Sequence, residues 1–428
     1  MIATLGFILI IVFTAAIMMN KMSPIVALVT IPIIFAVIGG FSKDVGDMML
    51  EGVIQVAPTA ALLLFAILYF GVMIDAGLFD PFIKVLLRIV KVDPIKITIG
   101  TAILALAVAL DGDGTTTYMI TVTALLPLYK RLGMNPLILA VIAMLSLSVM
   151  SGMTPWGGPA TRAIVSLGVD PSEFFVPFIP VMILGAIFVL AIAYYLGKGQ
   201  KKKLNSAFGD YESFINENLV DRKMHPIKWW INLVLTATLM FVLITGMLPV
   251  TVLFILGFAL ALMINFPSTA KQKEIIMTHA GNALMVTALV FAAGIFTGIL
   301  TGTGMITEMS ESLIALIPES LGEYFTIIVA ITSIPFTFIM SNDAYYFGVL
   351  PVLAETAKAY GIDPLHIARA SVLGQPVHLL SPLVASTFLL VGMIGRELGE
   401  YQRYAFKWCL LMAFFLISAS LVVGAITF

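Results

Sequence analysis

Long, almost wholly apolar runs separated by short polar turns set the plan of this 428-residue chain. Runs long enough to cross a hydrocarbon core of roughly 30 Å as helices fall near residues 2–19, 24–41, 53–74, 137–168, 174–196, 229–247, 249–265, 282–300, 365–395 and 407–427. Two further apolar pairs, 95–110 with 118–129 and 325–340 with 345–357, have shorter arms, and a polar turn breaks each. The first turn is Asp111-Gly112-Asp113-Gly114-Thr115-Thr116-Thr117 and the second is Ser341-Asn342-Asp343. This pattern predicts an all-α polytopic membrane protein with two re-entrant helical hairpins, 95–129 and 325–357, that enter the bilayer and return to the same face.

Composition agrees with the pattern: 60% of residues are hydrophobic and 11% charged, and the mean hydropathy is +1.07, outside the range of soluble domains. A β-barrel needs short strands of alternating polarity, which runs such as Ile25 to Ile38 and Ile183 to Leu196 do not offer. Cys409 stands alone, so an internal disulfide and a Cys-based metal cluster are excluded. A net charge of -1, with one short basic linker, gives no case for a nucleic-acid partner. No metalloprotease, nucleophile-elbow or phosphate-loop motif argues for an enzyme. Met1 to Met19 lacks a basic leader and an Ala-x-Ala-like cleavage site and reads as a retained first span.

Loop charges orient the chain. With the N-terminus outside, all of the 23 Lys and Arg except Lys43, Arg162, Lys358 and Arg369 lie on the cytoplasmic side. The outer stretch 301–324 carries Glu308, Glu311, Glu319 and Glu323 and no Lys or Arg. Both termini then face out, and the hydrophilic linker 197–228, with Lys201-Lys202-Lys203, is cytoplasmic. The linker divides the chain into halves, 1–196 and 229–428.

The halves resemble each other. At an offset of 227, Gly71 and Gly77 match Gly298 and Gly304; at 228, Thr98, Tyr118, Lys130, Gly133, Pro136 and Leu137 match Thr326, Tyr346, Lys358, Gly361, Pro364 and Leu365. The second alignment lays Asp113-Gly114-Thr115 over Ser341-Asn342-Asp343. By the predicted topology one copy runs inward where the other runs outward, the inverted repeat of many secondary transporters. The span after each hairpin is interrupted, at Thr154-Pro155-Trp156-Gly157-Gly158-Pro159 and again from Gly374-Gln375-Pro376 to Ser381-Pro382. Broken backbone at membrane depth is tolerated where it lines a cavity.

Two tips and two breaks therefore predict one midplane site. Intramembrane carboxylates are costly and functional by default. Asp111, Asp113 and Asp343 are hard oxygen ligands for a cation such as Mg²⁺ or Ca²⁺, or proton carriers. Thr115, Thr116, Thr117, Ser341 and Asn342 are neutral ligands for carboxylate oxygens, with backbone contacts from Gly157 and Gly158 and polar contacts from Gln375 and Ser381. Three acids in one pocket would repel a bare polycarboxylate. The pocket suits a cation, a proton-coupled solute, or an anion already complexed to a metal.

The runs Ile67 to Pro81, Leu110 to Met119, Leu126 to Pro136 and Pro155-Trp156-Gly157-Gly158-Pro159 resemble the CitMHS family, bacterial proton-coupled symporters of citrate complexed with a divalent metal ion. The resemblance spans nearly the whole chain. It implies a homodimer in the bacterial cytoplasmic membrane, with a scaffold domain and a hairpin-bearing transport domain that moves elevator-fashion. The cation, of the Mg or Ca class, travels with the substrate, and no cofactor is permanently bound. Hairpin tips in the wider superfamily commonly read Ser-Asn-Thr; these tips differ, so that motif's sodium-site roles do not carry over.

Each residue has a plainer reading. Asp-Gly pairs form ordinary turns, the threonines can cap the second hairpin arm, and the Trp-Gly-Gly-Pro break can be a simple kink. Arg162 either holds a citrate carboxylate bidentately or makes a structural ion pair, with Asp75 as the candidate partner. His378 is a proton carrier beside Asp343, or a packed core histidine. Arg369 is a weaker candidate, and His225 and His279 fall in predicted loops without a role. Two other functions stay open: a carrier of another carboxylate on the same fold, and a cation/proton antiporter without an organic substrate.

Overall fold

A computed structural model describes residues 2–19, 21–81, 93–201, 226–315 and 317–427, and every regular element among them is helical. In the first half these are α1 (Ile2–Met18), α2 (Pro24–Ile38), α3 (Val45–Asp75), α4 (Pro94–Val108), α5 (Gly114–Arg131), α6 (Pro136–Met153), α7 (Gly158–Leu167), α8 (Pro171–Phe175) and α9 (Phe178–Lys201). The second half begins with α10 (Pro226–Thr245), α11 (Val250–Asn265), α12 (Thr269–Gly302), α13 (Met305–Ile314), α14 (Glu319–Gly322) and α15 (Phe325–Ile339). After a π-helical turn at Ala344–Val349 it continues as α16 (Leu350–Ala359), α17 (Pro364–Val372), α18 (Gln375–His378), α19 (Ala385–Ile394) and α20 (Leu398–Val423).

Local chemistry fixes many of these boundaries. Asp93, Asn135, Asp170 and Asp363 each stand just before a proline at the first helical position and accept a backbone N–H two residues on. The matched Gly-x-x-Pro-Leu steps fold alike. Gly133 and Gly361 take φ of 63° and 76°, the left-handed turn that ends one helix before Asn135 or Asp363 caps the next.

Each polar turn joins two helices, and both breaks occur. α4 ends in a 3₁₀ turn at Ala109–Asp111, the chain reverses at Gly112 with φ 84°, and α5 returns along α4. Pro94–Asp111 is 18 residues long, enough by length to cross, so arm length does not mark this hairpin. What marks it is a reversal at a tip buried within the protein, where Asp111 is 6% exposed. In the second hairpin α15 ends at Ile339, and the return arm opens with the π turn, which the apolar pattern did not predict.

Helix packing places the tips. α3 and α12 cross backbone to backbone: a Cβ on Gly52 would lie 2.0 Å from the Gly294 carbonyl oxygen, and one on Gly298 would lie 2.3 Å from that of Met48. Small residues at such crossings allow the approach that packing in lipid needs. α6 is apolar apart from Ser146, Ser148 and Ser151 and is buried almost throughout. Exposed apolar side chains run along the periphery, among them Ile187 on α9, Trp230 and Phe241 on α10 and Met263 on α11.

Several boundaries differ from the sequence expectation. The spans predicted at 53–74 and 282–300 extend back to Val45 and Thr269, because polar first turns lower the apolar average without breaking a helix. His279 accordingly lies within α12 and not in a loop. The last span starts at Leu398, so Arg403 and Lys407 are helical. Both edges of the 197–228 linker are helical too. Its residues 202–225, with Lys202, Lys203 and His225, lie outside the described residues, as do Lys84, Arg88 and Lys91. Among the described residues, seven stretches are long and apolar enough to cross a membrane, against ten predicted spans. Ile2–Met18, Pro24–Ile38, Val250–Asn265, Phe325–Ile339 and Ala385–Ile394 are shorter apolar helices.

Candidate functional site

The first tip is a self-capped turn. Asp111 Oδ1 accepts the Asp113 N–H at 2.9 Å, and Asp113 Oδ2 accepts both the N–H and the hydroxyl of Thr116, at 2.7 and 2.8 Å. Asp113 is thus the N-cap of α5. The first break clamps this tip: Trp156 donates Nε1–H to the Leu110 carbonyl at 2.8 Å and Ser151 donates to that of Gly112 at 2.7 Å. Gly157 is required by closeness, since a Cβ there would stand 1.8 Å from the Ser151 carbonyl oxygen.

The second tip and break meet in the same way. Ser341 accepts the Ala344 N–H at 3.2 Å. Gln375 donates to the Tyr346 hydroxyl at 2.8 Å and to Asn342 Oδ1 at 3.3 Å, and its own Oε1 is buried without a partner among the described residues. His378 faces the Thr337 carbonyl through Nδ1. That contact puts the hydrogen of the neutral ring on Nδ1 and leaves Nε2 as the acceptor.

Two cavities adjoin the first tip. One, of about 220 Å³, is lined by Asp111, Asp113 and Thr116 of the hairpin, Trp156 and Gly158 at the break, Arg162 of α7, and residues of α3 and α12. The other, of about 200 Å³, is lined from all four polar interruptions: Asp113 and Gly114, Gly158 and Pro159, Asn342, and Gln375 and His378. Gly112, Asp113 and Gly158 line both, so they form the partition between them. The expected convergence of two tips and two breaks is present.

The expected single pocket of three acids is not. Asp111 and Asp113 share the first cavity, but Asp343 lies on an open groove with Ser341 and Lys21. Its Oδ1 accepts Arg162 Nε at 2.6 Å, and no group of three His, Cys, Asp or Glu able to hold a metal occurs among the described residues. Arg162 therefore pairs with Asp343 and not with Asp75, while its Nη1 donates to the Gly158 carbonyl at 3.0 Å. Asp75 is bound instead by His279, Nε2 to Oδ2, at 2.8 Å.

Other candidates separate as well. Thr116 lines the first cavity; Thr115 is exposed, and Thr117 is buried with its hydroxyl on the Asp113 carbonyl. Helical rotation puts only one of three consecutive threonines on the cavity face. Gly158 lines both cavities and Gly157 neither, while Ser381 is buried and accepts the Leu383 N–H. Arg369 is 6% exposed and donates to the carbonyls of Glu173, Phe174 and Ala425, a structural clasp. Ser148, Ser151 and Ser386 in the second cavity and His279 and Asn282 in the first were missed. The signal for the last two was their i, i+3 spacing on a helix whose start was placed too late.

Comparison with known proteins gives this geometry a family. The CitMHS profile, described as Citrate transporter, matches residues 1–374. In Bacillus subtilis (strain 168), the protein named Citrate transporter is 55% identical over 428 residues, covering 100% of both chains. The Mg(2+)/citrate complex secondary transporter of the same strain is 50% identical over 431 residues, covering 100% of this chain and 99% of its own. The crystal structure of the Alcanivorax borkumensis YdaH transporter is similar in fold, with a TM-score of 0.60 at 14% identity over 90% of this chain and 88% of that one. Neisseria gonorrhoeae MtrF gives 0.61 at 13% identity over 90% and 84%.

Proposed function

The chain belongs to the CitMHS citrate transporter family, and we propose that it imports citrate as a complex with a divalent metal ion of the Mg or Ca class, coupled to protons. The observation that carries this reading is the first cavity, which is lined by the acids Asp111 and Asp113 together with the base Arg162. A metal–citrate complex is charged in the complementary sense. Its metal, a hard cation that prefers oxygen, turns to the aspartates, and its free carboxylate oxygens turn to Arg162. Bare citrate would meet two carboxylates in a low-dielectric pocket, which is repulsive. The relative named for a Mg(2+)/citrate complex supports the same substrate.

Arg162 binds substrate by exchanging Asp343 for a substrate carboxylate, and Asp343, having lost its counter-ion, takes a coupled proton. His378, whose neutral ring keeps an acceptor nitrogen, is the second proton group. Thr116, Gly158, Asn342 and Gln375 complete the lining of the two cavities. The halves 1–196 and 229–428 act as inverted repeats, a reading supported by the matched turns at Gly133 and Gly361. A hairpin-bearing transport domain moves against a scaffold, elevator-fashion, in a homodimer of the bacterial cytoplasmic membrane with both termini outside.

Uptake of labelled citrate into proteoliposomes under an imposed pH gradient, with Mg²⁺, Ca²⁺ or Zn²⁺ or with a chelator, tests the reading. Uptake is expected only with a divalent ion and is expected to carry protons inward. Equal uptake in chelator would remove the metal complex, and cation-driven proton flux without citrate uptake would favour an antiporter.

A further inference from the structure

We propose that His279 is a substrate-contact residue, which binds a carboxylate of the metal-complexed anion as the imidazolium while Asp75 holds the ring. This rests on reading the first cavity as the metal–carboxylate site. His279 lines that cavity from α12, together with Asp111, Asp113 and Arg162.

Its ring is placed from two directions. Nε2 lies 2.8 Å from Asp75 Oδ2 on α3. The ring also lies over Gly71, where a Cβ would come within 2.6 Å of its Cγ, 2.7 Å of Nδ1 and 2.8 Å of Cδ2. Gly71 itself lines the cavity, so any larger residue there would displace the ring from that wall. Nδ1 has no hydrogen-bond partner among the described residues.

Charge decides what this nitrogen can do. The described residues lining the cavity include two basic groups, Arg162 and His279; Arg162, once it gives up Asp343, serves one substrate carboxylate, and His279 is placed to serve another. A metal held at Asp111 and Asp113 leaves the far carboxylate oxygens of its ligand to these two groups. A neutral His279 that donates Nε2–H to Asp75 offers those oxygens only a lone pair at Nδ1, which repels them. The protonated ring donates at both nitrogens, to Asp75 and to the ligand. The groups facing it are Asp75 on α3, Asp111 and Asp113 on the hairpin, and Arg162 on α7. Of the other elements packed on α12, α2 carries no charged residue, the 344–349 turn presents Phe347, and Glu308 and Glu311 of α13 lie beyond the far end.

The test compares His279→Gln, which keeps a donor but cannot ionise, and Asp75→Asn with the wild type, in full-length protein reconstituted in proteoliposomes. For His279→Gln the KM for Mg–citrate should rise about tenfold or more, the loss of a charge-assisted hydrogen bond, with the maximal rate little changed and the pH dependence of KM flattened. Asp75→Asn, which removes the carboxylate that holds Nε2, should likewise raise the KM with the maximal rate little changed. Unchanged KM and pH dependence in His279→Gln overturn the proposal. A readout independent of the variants' folding uses the chain's four histidines. In ¹³C-histidine spectra of the wild type, one resonance, assigned by its loss in His279→Gln or its displacement in Gly71→Ala, should move with Mg²⁺ plus citrate and not with Mg²⁺ alone. A resonance that ignores Mg–citrate, in protein shown by uptake to carry it, overturns the proposal alone; wild type that takes up no Mg–citrate overturns the underlying reading as well.

Discussion

Arg162 Nε and Asp343 Oδ1 stand 2.6 Å apart and join the first helix break to the second hairpin tip across 181 positions of sequence. Their side chains are 22% and 13% exposed, so the pair is only partly screened by solvent. A fully buried pair broken on one side costs about 3–5 kcal/mol; this one is expected to cost about 1–3 kcal/mol in Asp343→Asn, and uptake should stop. Exchanging the two, Arg162→Asp with Asp343→Arg, should recover stability without transport. A double-mutant cycle on thermal unfolding in detergent, read beside uptake, checks both; a coupling energy near zero would make the contact incidental.

Asp113→Asn separates charge from structure at the first tip. Asn caps a helix about as well as Asp, so the Thr116 N–H keeps its acceptor and stability should change by less than about 1 kcal/mol. Metal-dependent uptake should be lost, because one of the two cavity carboxylates is gone. Wild-type rates in a folded Asp113→Asn variant would reduce the motif to a turn.

Glycine replacements distinguish close approach from mere helix flexibility. Gly157→Ala puts a Cβ 1.8 Å from a carbonyl oxygen, and overpacking of this kind costs about 1–3 kcal/mol or prevents folding. Gly199 on α9 is exposed and has nothing within 4 Å of its would-be Cβ. Gly199→Ala should be neutral or stabilise by about 0.5–1 kcal/mol, since alanine loses less backbone entropy in a helix. Melting temperatures of the two variants test the contrast.

Arg369→Met should destabilise strongly while leaving substrate affinity of the folded fraction unchanged. The substitution keeps much of the stem but removes the donors that serve the Glu173, Phe174 and Ala425 carbonyls. Each buried acceptor left without a donor costs about 1–3 kcal/mol. Detergent-solubilised yield and unfolding temperature report the first effect, and KM in surviving protein the second.

The features that sequence reading recovered are local ones. The tip Asp111 to Thr117, a break within the predicted Thr154 to Pro159 and the paired steps at Gly133 and Gly361 all appear, because turn glycines, capping side chains and prolines act within a few residues. The start of α12 was hidden because Lys271, Lys273, Glu274 and His279 lower the apolar average of a stretch that remains helical. That misplacement concealed His279, which lines the same cavity as the two aspartates.

By itself, the sequence determined a helical membrane protein with two hairpins, two broken spans and acids at the first tip, since burial in lipid and backbone hydrogen bonding leave such a chain few alternatives. Tertiary structure alone decided which charges meet. Arg162 had Asp75 as its candidate partner, yet Asp343 binds it and His279 binds Asp75. Ion pairing depends on helices far apart in sequence that come together through glycine crossings and close backbone contacts, and residue type carries no record of that approach. The same packing put Asp111 and Asp113 in one cavity and moved Asp343 out of it, giving a site of mixed charge in place of three acids.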